Sequence, residues 1–228
     1  PFLYFLFGLA YLISHSTFLG VFILEVISFS IFLFFSFKIL NLYVNCHFAL
    51  LALPLLAGSI INLNSFVHGG SSEEFCLPLV TISLYNLCAY YKDYYPGLIP
   101  SRWILLNGVI AGCILWIKFS LLGFWFGWIM SLIIFLLIKK GIFQATKASF
   151  IYLLGMFTAT LPWIIYFSLN KSIYEWLNGY FVVNMIGYSN EITISSILRS
   201  IFSVLIVHLI ENPIPMIFTL FGLLIFII

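Results

Sequence analysis

Residues 119–138 read FSLLGFWFGWIMSLIIFLLI and are followed by Lys139 and Lys140. The 20 residues contain no charged side chain, and an α-helix of that length rises about 30 Å, the thickness of the hydrocarbon core of a bilayer. Lipid offers no hydrogen-bonding partners to the backbone, so a segment that crosses it must be a helix or part of a closed barrel. Because the run lacks the two-residue alternation of barrel strands, we predict a transmembrane helix that ends at the paired lysines.

The composition extends this interpretation to the whole chain of 228 residues. Residues of the AVILMFWYC set make up 64% of it and charged residues 7%, whereas about 25% of an ordinary soluble protein is charged. So few charged groups cannot cover the surface of a soluble fold of this size. The net charge of +2 is too small to indicate a nucleic-acid partner. We therefore predict an all-α, polytopic protein of the cell membrane, with membrane lipid as its surroundings.

Similar apolar runs follow one another along the chain. They predict seven or eight spans in one transmembrane domain over residues 1–228, and the first 14 residues, apolar but too short to cross, are expected to form an outer juxtamembrane helix. Because the chain begins at Pro1 without a Met and ends within an apolar run, we expect a fragment of a longer protein. The predicted spans cover residues 18–37, 46–61, 75–90, 103–117, 119–138, 150–169 and 197–210, and an eighth begins at 214.

Lysine and arginine predict the orientation of these spans, since both are enriched in short cytoplasmic loops. If the spans alternate in direction, Lys38, the turn with Lys92 and Arg102, and the cluster over 139–147 fall on one side. The loop 62–74 falls on the other side and contains no Lys or Arg. Loops 62–74 and 170–196 are therefore predicted to be extracytoplasmic.

The loop 62–74 has the densest group of polar residues, and two interpretations of it stay open. In one, Ser71 or Ser72 caps a helix that starts near Phe75, and Glu73 and Glu74 complement the helix dipole in its first turn. In the other, His68, Glu73 or Glu74 binds a divalent metal ion or acts as an acid or base. The spacing matches no recognised metal motif, so no cofactor is predicted beyond that alternative.

Three further polar or aromatic features stand out. Glu25 lies about 12 Å inside a predicted span, where a charge costs at least about 2.5–3.5 kcal/mol; it is either a neutral, hydrogen-bonded helix contact or a site residue. Lys118 falls near the outer boundary and either extends to lipid headgroups or holds the phosphate of a lipid-linked substrate. The aromatic-rich segment 173–188, which ends at Tyr188, either anchors the chain at the interface or stacks on a sugar.

Three stretches, taken in order, resemble one known family. They are the Pro-aromatic run PFLYFLFGL at residues 1–9, the segment HGGSSEEFCLPLVTISLY at 68–85, and the segment GVIAGCILWIKFSLLGFWFG at 108–127. The second is similar to a GG-x-x-EE-aromatic-x-LP pattern, and the third to paired short helices with a Lys between them. The family is that of the GT-C membrane glycosyltransferases, specifically the relatives of protein mannosyltransferases and lipid A aminoarabinose transferase.

The resemblance implies a GT-C-like helix bundle that transfers a hexose-type sugar from a polyprenyl-phosphate donor to an envelope acceptor on the outer face. The catalytic acidic residue of the family would precede Pro1, so the resemblance assigns the catalytic role to none of the 228 residues. His68, Glu73, Glu74 and Tyr188 become candidates for substrate binding, and Lys118 would meet the donor phosphate. Two other classes stay open: a transporter or flippase of lipid-linked sugars, and a non-catalytic membrane subunit of envelope assembly.

Overall fold

The structure is a computed structural model, and it describes residues 1–62, 66, 69–183, 194–211, 213 and 216–217. The chain divides into two compact units, Pro1–Tyr166 and Phe167–Ile228. Regular structure in the described residues is helical throughout. The helices are α1 Phe2–Ile13, α2 Leu19–Tyr43, α3 Cys46–Ile61, α4 Ser72–Ala89, α5 Ser101–Lys118, α6 Leu122–Lys139, α7 Ile142–Leu169, α8 Ile173–Leu177 and α9 Ile194–Glu211.

Helices α2 and α4 run in the same direction, side by side, in the first unit. Near their starts, the Ser28 hydroxyl donates to the carbonyl oxygen of Glu74 at 2.9 Å. Further along both helices, the rings of Phe35 and Tyr85 lie 5.7 Å apart. Since α3 returns the chain between them, α2, α3 and α4 alternate in direction, as consecutive spans would.

Helices α5, α6 and α7 continue the alternation. The 3₁₀ turn Phe119–Leu121 reverses the chain after α5, and Phe135 near the end of α6 packs on Tyr90, which directly follows α4. Helix α7 then runs parallel to α5, since Trp116 Nε1 near the end of α5 donates to Thr160 Oγ1 in the second half of α7 at 2.9 Å.

Glycines allow α5 and α7 to approach closely. A Cβ built on Gly108 would lie 2.2 Å from the carbonyl oxygen of Tyr152, and one on Gly155 would lie 2.4 Å from that of Leu105. Gly112, one turn after Gly108, faces Met156 at similarly short range. Small residues spaced four apart let apolar helices pack with their backbones in contact, so this contact depends on the absence of side chains.

Two tryptophans of α6 fill the centre of the unit and satisfy their polar atoms there. Trp125 Nε1 donates to the Ser83 hydroxyl at 2.9 Å, and Trp128 Nε1 donates to the Ser83 carbonyl at 3.1 Å. All three side chains are buried. Buried indoles normally find such partners because an unpaired N–H in an apolar core is costly.

Three helical stretches of the described residues are long and apolar enough to cross a membrane: Leu19–Tyr43, Ser101–Lys139 and Ile142–Leu169. The middle stretch contains both α5 and α6. Helix α3 has the predicted bounds, but its 16 residues fall short of that length. The structure therefore supports membrane-spanning helices in these three stretches, and the full count of seven or eight spans stays a prediction.

Two helices extend beyond the spans predicted for them, because lysine does not end these helices. Helix α2 continues past Lys38 to Tyr43, and α7 begins at Ile142, so Lys147 is helical rather than part of a loop. Lysine is a good helix former, and the Lys38 ammonium lies 4.8 Å from the centre of the Tyr85 ring. A third correction concerns the loop 62–74, because α4 already begins at Ser72.

The basic residues of the first unit collect at one end of its helices, with Lys118 as the exception. Lys92 donates to the carbonyl oxygen of Leu42 at the end of α2, Arg102 opens α5, and Lys139 closes α6. Helix α1 lies at the opposite end, since Phe7 packs on Phe75 at the start of α4. Its placement beside a membrane surface stays a prediction.

The second unit is described in part. Helix α8 continues into a π-helical turn, Asn178–Val182, and the Phe167 ring stacks on Trp176 at 4.7 Å. The predicted loop 170–196 is therefore helical over 173–182, and its residues 184–193 lie outside the described part. The predicted span 197–210 falls within α9, while most of the predicted eighth span is likewise not described.

Candidate functional site

The site lies where the chain enters α4, and a glycine pair shapes it. Gly69 and Gly70 have φ values of +66° and +68°, a left-handed conformation that residues with a side chain rarely adopt. A Cβ on Gly69 would stand 3.0 Å from Glu25 Oε1. Glycine therefore meets two requirements here, the backbone conformation and the close approach to α2.

The first turn of α4 explains why two carboxylates stand side by side. The Ser71 hydroxyl accepts a hydrogen bond from the Glu74 amide at 3.3 Å, which confirms the predicted N-cap. Glu73 and Glu74 occupy the first turn, where negative charge interacts favourably with the helix dipole. The cap accounts for their position in the sequence, and their side chains make separate contacts beyond it.

Glu73 forms an ion pair with Lys118, across 45 residues of sequence. The two side chains are 36% and 39% exposed respectively, so both are accessible to a ligand. Burial acts to raise the pKa of Glu73, but hydrogen bonds from Lys118 and Ser72 outweigh it and hold that pKa below its ordinary value. Both sequence interpretations of Lys118 thus miss its partner within the protein, which is Glu73.

Glu74 turns the other way, toward Glu25 of α2. The Gly70 N–H donates to Oε1 of Glu25 and also to Oε2 of Glu74, the latter at 3.1 Å. The side chain of Glu74 is buried, with 7% of its surface exposed. Its Oε1 has no hydrogen-bond partner among the described residues. Two carboxyl groups therefore converge on one backbone amide.

This environment changes the acidity of Glu74. Burial is the largest cause, the neighbouring Glu25 carboxyl adds to it, and together they raise the pKa of Glu74 to about 7 despite the hydrogen bonds from Gly70 and Ser71. A carboxyl group in that range gains or loses a proton near neutral pH, as groups in functional sites commonly do.

A cavity of about 290 Å³ lies beside this cluster, between α1 and the start of α2. Phe7 and Val21 line it and also flank the glycine turn, since a Cβ on Gly70 would lie 3.8 Å from Phe7 and 3.6 Å from Val21. Tyr11 and His15, whose rings are 4.5 Å apart, form another part of its wall. The cavity could not be predicted from the sequence, where its one signal is the polar stretch Ser-His-Ser-Thr at residues 14–17 between two apolar runs.

The structure describes some of the predicted site residues and not others. It brings Glu73 and Lys118 together and adds Glu25 as the neighbour of Glu74. His68 and Tyr188 lie outside the described residues. No cluster of three or more His, Cys, Asp or Glu side chains suited to a metal ion occurs in the described part of the chain, and a metal site that includes His68 stays a prediction.

Comparison of the chain with protein-family models, with curated proteins and with solved structures gave no match. The resemblance to GT-C glycosyltransferases therefore rests on the sequence stretches quoted above.

Proposed function

We propose that the chain belongs to an integral membrane glycosyltransferase that moves a sugar from a polyprenyl-phosphate donor to an envelope acceptor on the outer face. The observation that carries the proposal is the accessible Lys118–Glu73 ion pair at one end of an apolar helix bundle. It lies at the same end as the carboxyl groups of Glu25 and Glu74.

Lys118 supplies the charge that such a reaction needs. Bond cleavage between the sugar and the phosphate leaves negative charge on the phosphate, and a nearby ammonium stabilises that charge. The Glu73 carboxylate holds the Lys118 ammonium in place. When the donor binds, an oxygen of its phosphate would replace the Glu73 carboxylate as the anionic partner of the Lys118 ammonium.

The cavity beside the Gly69–Gly70 turn and the exposed apolar faces of the helices suit a substrate that is part sugar and part lipid. The cavity of about 290 Å³ is near the lower limit of ligand pockets, so it has room for a headgroup rather than a polyprenyl chain. The outer faces of α2 and α7 expose large apolar side chains such as Phe34, Leu153 and Phe157. A polyprenyl chain would lie against such a surface within the bilayer.

Sugar transfer by the full-length protein in lipid nanodiscs, with a radiolabelled polyprenyl-phosphate hexose as donor, tests the proposal. We expect Lys118→Ala to lower transfer by about 10²-fold, the usual effect of losing one charge-stabilising group, and Lys118→Arg to retain part of the activity. Lys140→Ala is the matched control, because Lys140 is exposed and lies at the opposite end of the bundle. Absence of transfer by the wild type, or full activity of Lys118→Ala, contradicts the proposal.

A transporter or flippase of lipid-linked sugars is the second candidate. The paired carboxyl groups of Glu25, within α2, and Glu74 favour it, because protonatable carboxyl groups inside membrane proteins often serve proton-coupled movement. The same nanodisc protein, moved into sealed vesicles, distinguishes the two: a flippase transfers the labelled lipid between leaflets without making a glycosylated product.

A further inference from the structure

We propose that Glu25 and Glu74 together bind a single proton, and that the protonated pair fastens the Gly69–Gly70 turn to α2. The pair would act in this way in a transferase or in a transporter, so the inference does not depend on the proposed function.

The hydrogen-bond inventory of the site carries the inference. A deprotonated carboxylate only accepts hydrogen bonds. The two carboxyl groups share one N–H donor, that of Gly70, and the Ser71 side chain adds one hydrogen bond to Glu74. Oxygen Oε1 of Glu74 is buried and has no partner among the described residues. One added proton turns an acceptor into a donor, which allows the two carboxyl groups to bond to each other instead of repelling.

The charges around the pair point the same way. From α4 the neighbouring charged group is Glu73, and from α5 it is Lys118, whose ammonium is already bound to Glu73. The facing side chain of α1 is Phe7, which is uncharged. All other Lys and Arg residues of the first unit, Pro1–Tyr166, lie at the opposite end of the helix bundle. The remaining titratable group near the pair is His15 in the α1–α2 turn, and its ring packs on Tyr11. His68, two residues before Gly70, is not among the described residues.

The pair holds together segments that are far apart in sequence. Glu25 contacts the amide of Gly70 across 45 residues, and one turn further along α2 Ser28 binds the carbonyl oxygen of Glu74. Gly69 and Gly70 have no side chains of their own with which to hold the turn against α2. Its attachment to α2 therefore depends on the two carboxyl groups that meet at Gly70.

The attachment of the Gly69–Gly70 turn to α2 should weaken as the pH rises. Because the pKa of Glu74 is raised from 4.5 to about 7, folding favours the protonated form. The protonated carboxyl stabilises the folded protein fully at pH values below 4.5, the ordinary pKa. This stabilisation declines between pH 4.5 and about pH 7, and it is lost as the pH rises further. Above that pH two negative charges face one amide, and the turn should detach from α2.

Infrared spectroscopy of the full-length protein in nanodiscs tests for the bound proton directly, through the C=O stretch of a protonated carboxyl group. We expect the wild type to show this band at about pH 6. Its intensity should have a titration midpoint near pH 7 and should decline about tenfold for each pH unit above that midpoint. Glu74→Gln should remove the band, and Glu25→Gln should move its midpoint to lower pH. Glu73→Gln, at the adjacent carboxyl, should keep the band but move its midpoint to lower pH, because it frees the Lys118 ammonium. His68→Asn should leave the band unchanged.

Hydrogen exchange of the peptide that contains Gly70, corrected for intrinsic exchange rates, tests the attachment of the turn. In the wild type, protection should fall between about pH 6 and about pH 8.5. Glu74→Gln should keep the turn protected at both values, because its amide donates as a protonated carboxyl does. Absence of a protonated carboxyl at about pH 6, removal of the band by Glu73→Gln or His68→Asn, or pH-independent protection in the wild type would overturn the inference.

Discussion

At the scale of single residues, Glu73 and Glu74 are adjacent in sequence, yet their pKa values move in opposite directions. The pKa of Glu73 is lowered because its hydrogen bonds to Lys118 and Ser72 outweigh burial, whereas burial and Glu25 raise the pKa of Glu74. Neighbouring positions on a helix point about 100° apart, so one carboxyl meets α5 and the other meets α2. This difference separates the two residues: Glu73 forms an ion pair with Lys118, and Glu74 is the residue for which we propose proton binding.

Part of this site could be predicted from the sequence. Ser71 followed by two glutamates indicates a helix start, since that pattern satisfies free N–H groups and the dipole, and the structure confirms it. The depth of Glu25 within an apolar run predicts that it needs a partner. The identity of that partner, the Gly70 amide, could not be predicted because it depends on how α2 and α4 pack.

Ser83 offers a test of the core at this scale. Ser83→Ala removes the acceptor of the buried Trp125 Nε1, and an unpaired buried donor costs about 1–3 kcal/mol. We expect a lower melting temperature in detergent micelles, with α-helical content at low temperature unchanged.

Ser30→Ala serves as its matched control. The Ser30 hydroxyl donates to the Val26 carbonyl oxygen within its own helix and is exposed, so its loss leaves no buried donor without a partner. Equal melting temperatures for Ser83→Ala and the wild type would contradict the account of the α6 core.

At the scale of elements, apolar runs predict where helices form better than where they end. Helix α3 has its predicted bounds, while α2 and α7 extend beyond theirs because Lys38 and Lys147 lie within helices instead of ending them. The ammonium of a lysine within a helix can be stabilised by contacts with other side chains, as that of Lys38 is by the Tyr85 ring. Charge alone therefore does not mark a helix terminus.

The crossing of α5 and α7 gives the prediction at this scale. Gly108→Ala places a methyl group 2.2 Å from the Tyr152 carbonyl oxygen, and overpacking of this kind typically costs about 1–3 kcal/mol. We expect a clear drop in the melting temperature of the detergent-solubilised protein.

Gly127→Ala is the matched control, because a Cβ at Gly127 meets nothing within 4 Å and alanine favours the helix. This variant should be as stable as the wild type or slightly more so. Equal destabilisation by both substitutions would show that loss of glycine itself, rather than the crossing, is responsible.

At the scale of the whole molecule, the alternating directions of α2 to α7 place two kinds of chemistry at opposite ends of the first unit. Lys92, Arg102 and Lys139 lie at one end, and the Glu73–Lys118 pair lies at the other. The positive-inside tendency predicts that the basic end faces the cytoplasm. The sequence predicted this segregation from loop charges, but it could not predict that Lys118 would be neutralised by Glu73.

The proposed function requires that the cluster of Glu25, Glu73 and Glu74 and the basic end of the first unit face opposite sides of a membrane. Sided cysteine labelling tests this, with a membrane-impermeant maleimide and a background that lacks the four native cysteines. Asn62→Cys, exposed at the end of α3, reports on the cluster end, and Lys140→Cys, exposed after α6, reports on the basic end. We expect Asn62→Cys to be labelled in intact cells and Lys140→Cys to be labelled only after permeabilisation. Labelling of both from one side, or the reverse pattern, would contradict it.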